Sequence, residues 1–411
     1  MLRLQAFKFR LYPNVEQRIF LARQFGCARY VYNHFLRQRF DFYAAHKGEE
    51  KQGLNYYDTN KSLTVLKHQP GTEWLCEVNS QALQESLRNL DTAYRNFFEG
   101  RAEFPKFKRK YDKQSFRVPQ HFYLDTDTGH LCLPKMAPIR IVVHRPIVGT
   151  MKSVTVSRTP AGYYFASILC EIDAPEPKPK RRGKEQGLDV GLKSFVVTSE
   201  GEKIDPPNCL RKSEKKLAHL QRELSRKKKG SNNRNKARVK VARLHEHIAN
   251  QRKDFLHKQS RRLIDESKAI YVEGLNVAGM LANHHLAKSI SDAGWGEFLR
   301  QLEYKGAWYG CTVEAINRFF PSSKACGVCG CINTALTLAE REWECPECHT
   351  LHDRDINAAR NILAAGKSQA KRATQQKQEC RAGMARTQTP GEMRASKARL
   401  RTRKPPALAV R

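Results

Sequence analysis

Two pairs of cysteines near the C-terminal end place the strongest constraint on what this chain can fold into. Cys326 and Cys329 are separated by two residues, as are Cys345 and Cys348, and fifteen residues lie between the pairs. Two such turns can surround one Zn²⁺ ion with four thiolates, and this spacing is a specific signal for structural zinc. Four unrelated buried thiols would not explain two matched pairs in polar, turn-rich sequence. The spacing therefore predicts a zinc ribbon over residues 320–350 with one structural Zn²⁺ ion.

The charge of the chain predicts a polyanionic partner. Among 411 residues, 74 Lys and Arg stand against 41 Asp and Glu, which gives a net charge of +33 at pH 7. Nucleic acid is the partner that this excess favours, and a membrane surface is the weaker alternative because the basic stretches lack a strongly apolar face. With no secretion signal and no run of 18 apolar residues, we expect a soluble intracellular protein without a membrane partner.

The N-terminal part of the sequence changes from a strand pattern to helices and back. Residues 1–12 alternate between apolar and polar and end at Tyr12-Pro13-Asn14, which predicts a strand and a turn. Helical spacing follows over 16–43 and 80–99, and short strand patterns occupy 115–173. We expect residues 1–12 and 101–174 to form a small β-barrel with a helical insertion over 13–100.

A proline-rich basic linker over 175–184 marks the main predicted domain boundary. A strand, a glycine turn and a second strand are predicted over 187–198. A helical hairpin is predicted over 211–265, and residues 211–262 contain 19 Lys and Arg against 4 Asp and Glu. A solvated charged surface is the ordinary interpretation of such a run, but this imbalance favours contact with a duplex backbone.

Three carboxylates stand on separate predicted elements. Asp189 lies in the first strand of the second domain, Glu273 ends a later apolar strand, and Asp355 begins a helix. Phosphodiester hydrolysis by two Mg²⁺ ions needs carboxylates from separate elements at one point, because Mg²⁺ takes hard oxygen ligands. One acid at a strand end is more often a turn or cap residue, so the prediction depends on their convergence.

The order of these motifs resembles that of a known family. The similarity is to the TnpB proteins of insertion sequences, which are RNA-guided nucleases related to the type V CRISPR effectors. It covers residues 1 to about 365 and includes four ordered motifs: Gly187-x-Asp189-x-Gly191, Val272-Glu273-Gly274-Leu275, Cys326 to Cys348, and Asp353-Arg354-Asp355-x-Asn357-Ala358-Ala359-x-Asn361.

The resemblance implies a multidomain α+β and α/β protein. A wedge-type barrel and a helical recognition region would precede an RNase H-like RuvC nuclease domain over 185–319 and 351–365, split by the zinc ribbon. By position, Asp189, Glu273 and Asp355 match the catalytic residues that hold two Mg²⁺ ions. Asp353 competes for the third place, but the family motif puts the ligand two residues before the asparagine, which leaves Asp353 as a supporting or capping group.

The resemblance also implies two nucleic-acid partners. A structured guide RNA from the protein's own element would pair with target DNA, while the protein reads a short flanking motif. Polar side chains of the N-terminal half are the candidates for that reading, with ordinary surface polarity as the alternative: Tyr56, Asn60, Ser80, Gln81 and Gln84. Residues 366–411, with 13 Lys and Arg against 2 Asp and Glu, are expected to be disordered.

The residues and the resemblance together predict an RNA-guided, Mg²⁺-dependent DNA endonuclease encoded by a transposable element. The resemblance places it in a prokaryotic cytosol, associated with the nucleoid, and a monomer is favoured over an oligomer. An RNA-guided DNA-binding regulator with little or no cleavage is the alternative. A conventional transposase is a third hypothesis, against which the family's dependence on RNA argues.

Overall fold

The computed structural model of the protein describes residues 2–49, 53–337 and 339–386. The described chain divides into two compact units. The first unit combines residues up to Lys178 with Pro207–Lys258, and the second combines Pro179–Pro206 with the residues from Gln259 onward. The chain therefore leaves the first unit, returns to it once and then completes the second.

Seven antiparallel strands form the sheet of the first unit. They are β1 (Leu2–Tyr12), β2 (Gln114–Val118), β3 (Tyr123–Asp125), β4 (His130–Cys132), β5 (Ile139–Val142), β6 (Thr150–Arg158) and β7 (Tyr164–Asp173). The N-terminal strand lies centrally in the order β2-β6-β7-β1-β5-β4-β3, and it pairs with β7 and β5. Alternate residues Phe7, Phe9 and Leu11 are buried, as expected for a strand with one face on a core.

The predicted pairing of the N-terminal strand with the later strands is confirmed, but the predicted barrel is not. Strands β2 and β3 lie at opposite ends of the order, and within the described residues no pairing joins them. Both β3 and β4 contain only three residues, so that side of the sheet offers short ladders for closure.

Three helices lie between β1 and β2; the periodicity predicted the first and the third, and the short second helix was not predicted. They are α1 (Val15–Ala45), α2 (Tyr56–Leu66) and α3 (Ser80–Phe98), with a 3₁₀ turn at Glu73–Cys76. Asn14 begins α1 with a capping box: its Oδ1 accepts from the amide N of Gln17 at 2.8 Å, and Gln17 Oε1 accepts from the amide N of Asn14 at 2.9 Å. The turn after β1 therefore also sets the start of α1.

The predicted basic hairpin consists of α4 (Cys209–Ser225) and α5 (Asn232–Glu266). Its apolar contacts include buried Leu217, Leu244 and Ile248. The hairpin was expected to belong to the second domain, whereas Pro207–Lys258 lies in the first unit. The guanidinium of Arg243 lies 5.7 Å from the centre of the Tyr163 ring, which is one of the contacts between the hairpin and that unit.

The sheet of the second unit has five strands in the order β10-β9-β8-β11-β12. They are β8 (Lys184–Asp189), β9 (Val196–Thr198), β10 (Lys203–Ile204), β11 (Ser267–Glu273) and β12 (Thr312–Ile316). Strand β11 is parallel to both β8 and β12, while β9 and β10 are antiparallel additions at one side. The predicted hairpin at the start of this domain is confirmed as β8 and β9.

A bulge sets the register between β8 and β11. Ser267 lies opposite Lys184 and Ala269 lies opposite Glu185, so Lys268 is the extra residue. Beyond the bulge the ladder is regular, and Val272 lies opposite Leu188.

The remaining elements of the second unit are four helices and a small hairpin. They are α6 (Val277–Met280), α7 (Ala287–Ala293), α8 (Trp295–Tyr309), β13 (Glu342–Glu344), β14 (Leu351–Asp353) and α9 (Arg354–Arg386). Helix α9 lies directly on β8, because a Cβ at Gly187 would stand 2.1 Å from the carbonyl oxygen of Ala359. It also lies on β11, where a Cβ at Gly366 would stand 2.2 Å from the ring of Tyr271.

The prediction of a disordered tail from residue 366 is wrong for residues 366–386, which continue α9. Ala370 packs in the same apolar cluster as Tyr271 and Ile316, and Lys367 Nζ lies 2.8 Å from Glu185 Oε2. Lysine, glutamine and alanine are also good helix formers, so the cationic composition does not oppose a helix. Residues 387–411 lie outside the described residues. Among the described helices, none combines the length and apolar character needed to cross a membrane.

Candidate functional site

Asp189 and Glu273 occupy neighbouring positions at one edge of the second sheet. Asp189 is the last residue of β8 and Glu273 is the last residue of β11. These strands are parallel and Val272 lies opposite Leu188, so the next residue of each strand is a carboxylate. Residues that are opposite each other in a ladder project to the same face. The structure therefore brings these two predicted site residues together.

Asp355 joins them from the first turn of α9. The close contact between Gly187 and the backbone of α9 fixes this helix against β8, two residues before Asp189. Burial raises the pKa of Asp189 to about 7, and the negative charges of Glu273 and Asp355 contribute to the rise. All three sequence-predicted carboxylates therefore lie in one electrostatic environment.

Arg341 is a residue of this site that sequence reasoning missed. Its Nη1 donates to both carboxylate oxygens of Asp355, at 3.0 Å and 3.4 Å. The positive charges of Arg354 and Arg341 also oppose the rise in the pKa of Asp189. Arg341 precedes β13 in the cysteine-rich segment, where the sequence gives no sign that one of many cations contacts a distant carboxylate.

Asp353 has the capping role predicted for it. Its Oδ1 accepts from the amide N of Asp355 at 3.1 Å and of Ile356 at 3.0 Å, which are free donors at the start of α9. Its other oxygen lies 2.6 Å from Lys203 Nζ. Both carboxylate oxygens of Asp353 therefore have partners, and Asp353 holds the end of the helix. Asp355 is the carboxylate whose negative charge contributes to the raised pKa of Asp189.

Two buried asparagines of α9 connect the carboxylates with the cysteine-rich segment. Asn361 Nδ2 donates to the carbonyl oxygens of Ser322 at 2.8 Å and Ala325 at 2.7 Å. Asn357 Nδ2 also donates to Ala325 O at 2.7 Å, and its Oδ1 accepts from the amide N of Gly327 at 2.9 Å. The hydroxyl of Ser322 in turn donates to Glu273. The same helix therefore positions Asp355, Glu273 and the first cysteine pair.

The four predicted zinc ligands form one cluster. The sulfur atoms of Cys326, Cys329, Cys345 and Cys348 all lie within 4.8 Å of one another. The Sγ atoms of Cys326 and Cys348 are 3.6 Å apart, and those of Cys329 and Cys345 are 3.5 Å apart. No disulfide is present among the described cysteines. Four thiols at this separation fit a tetrahedral thiolate site.

The two cysteine turns have the same backbone geometry. The amide N of Gly330 donates to Cys326 O and that of His349 to Cys345 O, both at 3.0 Å. Gly330 and His349 have φ of 80° and 53°, so both turns use the left-handed region. Cys331 takes the equivalent place to Thr350, because its carbonyl accepts from the amide N of Cys326 at 2.8 Å. The extra cysteine therefore closes the first turn through its backbone.

Donors surround the sulfur atoms. His352 Nε2 lies 3.0 Å from Cys326 Sγ, and burial lowers the pKa of this imidazole, which favours its neutral form. The Thr350 hydroxyl is 3.2 Å from Cys348 Sγ and lowers the pKa of that thiol. The amide N–H of Cys348 lowers the pKa of Cys345. Donors of this kind stabilise thiolates, which are the form that binds metal.

The candidate motif-reading residues lie on α2 and α3, but not at one point. The Arg88 guanidinium is 5.1 Å from the centre of the Tyr56 ring at the start of α2, whereas Lys67 at its end donates to Ser80 Oγ at 2.6 Å. The helices are therefore antiparallel, and Tyr56 contacts the middle of α3, about two helical turns from Ser80. Gln81 and Gln84 share the first turns of α3 with Ser80, and Asn60 is one turn beyond Tyr56.

The carboxylate site has the chemistry of a divalent-cation site. Within the described chain, no N–H or O–H group is within hydrogen-bonding distance of the Asp189 carboxylate, although burial disfavours its charge. The guanidinium of Arg341 is bound to Asp355. This ion pair compensates only part of the negative charge of the three carboxylates. Carboxylate oxygens are the ligands that Mg²⁺ prefers.

Fold and site together define a mixed α/β protein with a carboxylate cluster beside a four-cysteine ribbon. Profiles of known families match three regions: residues 167–284 match the IS605 OrfB family, described as a probable transposase, residues 295–362 match the TNB domain of Cas12f1-like proteins, and residues 1–48 match a helix-turn-helix domain. In the structure, the N-terminal region that matches the helix-turn-helix domain contains β1 and α1.

Full-length relatives support the same assignment. The chain is 45% identical over 365 residues to a putative RNA-guided DNA endonuclease of Streptomyces pristinaespiralis, covering 88% of this chain and 89% of the relative. It is 37% identical over 384 residues to the putative RNA-guided DNA endonuclease InsQ of Escherichia coli K12, covering 89% and 93%. The chain belongs to the TnpB family of IS605 OrfB proteins.

A solved structure has a similar fold at low sequence identity. A Cas12f1 chain, determined by cryo-electron microscopy with its guide RNA and target DNA, matches with a TM-score of 0.52 and 13% identity. The match covers 88% of this chain and 99% of that chain. It shows that the mixed α/β fold is Cas12f-like.

Proposed function

We propose that this protein is an RNA-guided DNA endonuclease that cuts target DNA beside a short flanking motif. The convergence of Asp189, Glu273 and Asp355 at the carboxyl edge of the parallel strands carries the proposal. The names of the relatives from Streptomyces and Escherichia support RNA guidance and DNA as the substrate. In this reading the second unit is a RuvC-like nuclease, with the first unit as its nucleic-acid-binding partner.

Asp189, Glu273 and Asp355 would hold two Mg²⁺ ions. When bound, the ions supply charge stabilisation for the attacking and leaving oxygens of the phosphodiester. The protein keeps its ligands in place through contacts that the structure contains: Ser322 orients Glu273, and the capping of α9 by Asp353 orients Asp355. Arg341 reduces the repulsion among the carboxylates.

The four cysteines would hold one Zn²⁺ ion with a structural role. Four thiolates complete a tetrahedral shell and leave no position for an activated water molecule. Because Asn357 and Asn361 connect the first cysteine turn to α9, the ion would stabilise the segment that positions Asp355 and Ser322. The zinc site would therefore support cleavage indirectly, by keeping Asp355 and Ser322 in position.

The basic surface of the protein would bind the two nucleic acids. The net charge of +33 and the cationic hairpin of α4 and α5 suit a phosphate backbone. The residues proposed to read the flanking motif are Tyr56, Asn60, Ser80, Gln81 and Gln84. Tyr56 and Ser80 would contact different base pairs, because Tyr56 contacts α3 about two turns away from Ser80. Since the proposed partners are intracellular nucleic acids, a cytoplasmic, nucleoid-associated location is part of the proposal.

The test begins with the RNA that copurifies with the full-length protein. Sequencing should find one dominant structured RNA that extends from the end of the protein's own gene into flanking sequence. The complex should then cut matching DNA in the presence of Mg²⁺. A random sample of cellular RNA, together with no cutting of matched DNA, would contradict the proposal.

Site variants test the carboxylates. Asp189→Ala and Asp355→Ala should abolish cleavage while leaving RNA binding intact, because they remove metal ligands and no basic residue. Glu303→Gln is the matched control, since it neutralises an exposed carboxylate of α8 in the same unit. Undiminished cutting by either aspartate variant would refute the site assignment.

A further inference from the structure

Both ends of a short loop after β12 are fixed at Glu273. Ile316, the last residue of β12, lies opposite Glu273 in the β11–β12 ladder. Ser322, six residues later, donates its hydroxyl hydrogen to the carboxylate of the same Glu273. Residues 317–321 therefore form a loop that leaves the proposed metal site and returns to it.

Phe319 stands at the middle of this loop, and 85% of its surface is exposed. It is three residues from Ile316 and three from Ser322, and three residues span at most about 11 Å of extended chain. The Cα atom of Phe319 therefore lies within about 11 Å of the Cα atoms of Ile316 and Ser322. A large aromatic side chain is exposed on a loop whose two ends contact Glu273.

The loop is held by its own hydrogen bonds. Asn317 Oδ1 accepts from the amide N of Phe319 at 2.9 Å, and Asn317 O accepts from that of Phe320 at 3.1 Å. The amide N of Ser322 then donates to Phe320 O at 2.8 Å. These turns keep Phe319 pointing outward, although burial of an aromatic ring would be favourable.

A cation accompanies the ring. The guanidinium of Arg318 lies 5.7 Å from the centre of the Phe319 ring, and Arg318 is exposed. In the described part of the chain, no carboxylate forms an ion pair with Arg318. An exposed ring with an adjacent unpaired guanidinium suits a ligand that has both a flat aromatic face and an anion.

We propose that Phe319 and Arg318 form a subsite for one unpaired nucleotide of the strand at the carboxylates, with the base stacked on the Phe319 ring and a phosphate bound by Arg318. The subsite rests on the proposed function, because it places a nucleic-acid strand at Asp189, Glu273 and Asp355. Rings stack on any base, and arginine recognises phosphate oxygens. The subsite therefore holds a single strand near the metal ligands without selecting its sequence.

Photocrosslinking tests the stacking directly. The full-length protein with its copurified RNA is mixed in Mg²⁺-free buffer with a single-stranded oligothymidylate that contains one 5-iododeoxyuridine, and the mixture is irradiated at long wavelength. The C5–I bond breaks, C5 bonds to a carbon of the stacked ring, and hydrogen iodide is released. Peptide mapping should locate the adduct on Phe319. Phe319→Ala should remove it, and Phe319→Tyr should restore it.

Affinity measurements provide the second readout. Phe319→Ala should weaken binding of the oligothymidylate by about 5- to 150-fold, the range for loss of one base stack. Arg318→Gln should reduce the slope of the logarithm of the binding constant against the logarithm of salt concentration by about 0.7, as expected for one single-strand phosphate. Leu351→Ala is the control, because it removes another exposed apolar side chain of the same unit.

The outcomes separate this subsite from the proposed nuclease function. An adduct at Phe319 in a protein that cuts no matched DNA in Mg²⁺ would support the subsite and refute the nuclease. Cleavage without an adduct at Phe319 and with unchanged oligothymidylate affinity in Phe319→Ala would refute the subsite and leave the nuclease. If Phe319→Ala changes the oligomeric mass of the protein and leaves its affinity for oligothymidylate unchanged, the subsite is also refuted. In that case the Phe319 ring contacts a second copy of the chain.

Discussion

Substituting Gly187 by alanine tests how closely the position of α9 controls the carboxylate site. The added Cβ would lie 2.1 Å from the carbonyl oxygen of Ala359 and 2.6 Å from the amide N of Leu363. Ordinary nonbonded contacts are about 3.5–4.0 Å, so helix and strand must separate by more than about 1 Å. Both contacts are with backbone atoms, and therefore no side-chain rotation can relieve them.

The separation should reduce both stability and activity. Overpacking of this kind costs about 1–3 kcal/mol, which thermal unfolding will show as a lower melting temperature. The first turn of α9 contains Asp355, and β8 ends at Asp189 two residues after Gly187, so their relative position changes. A displacement of about 1 Å can reduce a rate about 100-fold, and we expect a loss of at least this size in single-turnover DNA cleavage.

Gly296→Ala is the matched control for this experiment. Gly296 lies in α8 of the same unit, and a Cβ there would meet no heavy atom within 4 Å. Its replacement should leave cleavage unchanged and stabilise the helix by up to about 1 kcal/mol. If Gly187→Ala melts within about 2 °C of the wild-type protein and cuts DNA at the wild-type rate, the close packing of α9 on β8 does not position the site.

Variants at three further residues probe single contacts in the second unit. Arg341→Gln should lower the free energy of unfolding by about 1 kcal/mol in Mg²⁺-free buffer, because Asp355 loses its ion pair. Added Mg²⁺ should stabilise this variant more than the wild type, and equal stabilisation in thermal unfolding would contradict the role of Arg341. Asn361→Ala should cost about 1–3 kcal/mol in denaturant unfolding, because the Ser322 carbonyl loses its donor and the Ala325 carbonyl keeps only Asn357, and Asn361→Asp should be no better; a wild-type midpoint for either would contradict this. Lys305 donates to Ser260 at 2.7 Å, and burial lowers the pKa of this amine to about 8, below its pKa in the unfolded chain. The free energy of unfolding should therefore rise between pH 8 and pH 10.5, where the folded chain has released this proton and the unfolded chain still binds it. Lys305→Met should remove about 1–2 kcal/mol of this rise, and parallel pH profiles of the variant and the wild type would refute the role of Lys305.

Removal of metal tests the proposed zinc site. Extraction of Zn²⁺ with a chelator should lower the melting temperature of the second unit and abolish cleavage after Mg²⁺ is restored, because the first cysteine turn supports Ser322 and α9 through Asn357 and Asn361. The control is readdition of Zn²⁺, which should recover both. Unchanged folding and cutting after complete extraction would separate the ribbon from the active site.

The sequence was sufficient for local features that depend on nearby residues. The strand at residues 1–12 followed from alternation, helix α1 from the helical spacing that begins at residue 16, and the four-cysteine cluster from two matched turns. The convergence of Asp189 and Glu273 was expected because two-metal chemistry needs carboxylates from separate elements; the parallel pairing that brings the two strand ends to one edge was learned from the structure.

Features that depend on distant partners were not predictable. Arg341 is one of many cations, and only the folded chain places it on Asp355. Residues 366–386 have the composition of a disordered basic tail, but Tyr271 and Glu185 provide α9 with an apolar contact and an ion pair from another part of the sequence. Closure of a barrel likewise depends on whether the end strands meet, which strand periodicity does not encode.

The extra residue at Lys268 has a consequence for how this sequence can vary in length. The bulge places one extra residue of β11 between Ser267 and Ala269, whose partners on β8, Lys184 and Glu185, are consecutive. A one-residue deletion at position 268 would therefore convert the bulge into a regular ladder and leave Glu273 beside Asp189. A one-residue deletion between Ala269 and Glu273 has no bulge to absorb it, so Glu273 would move by one position and project from the opposite face, away from Asp189.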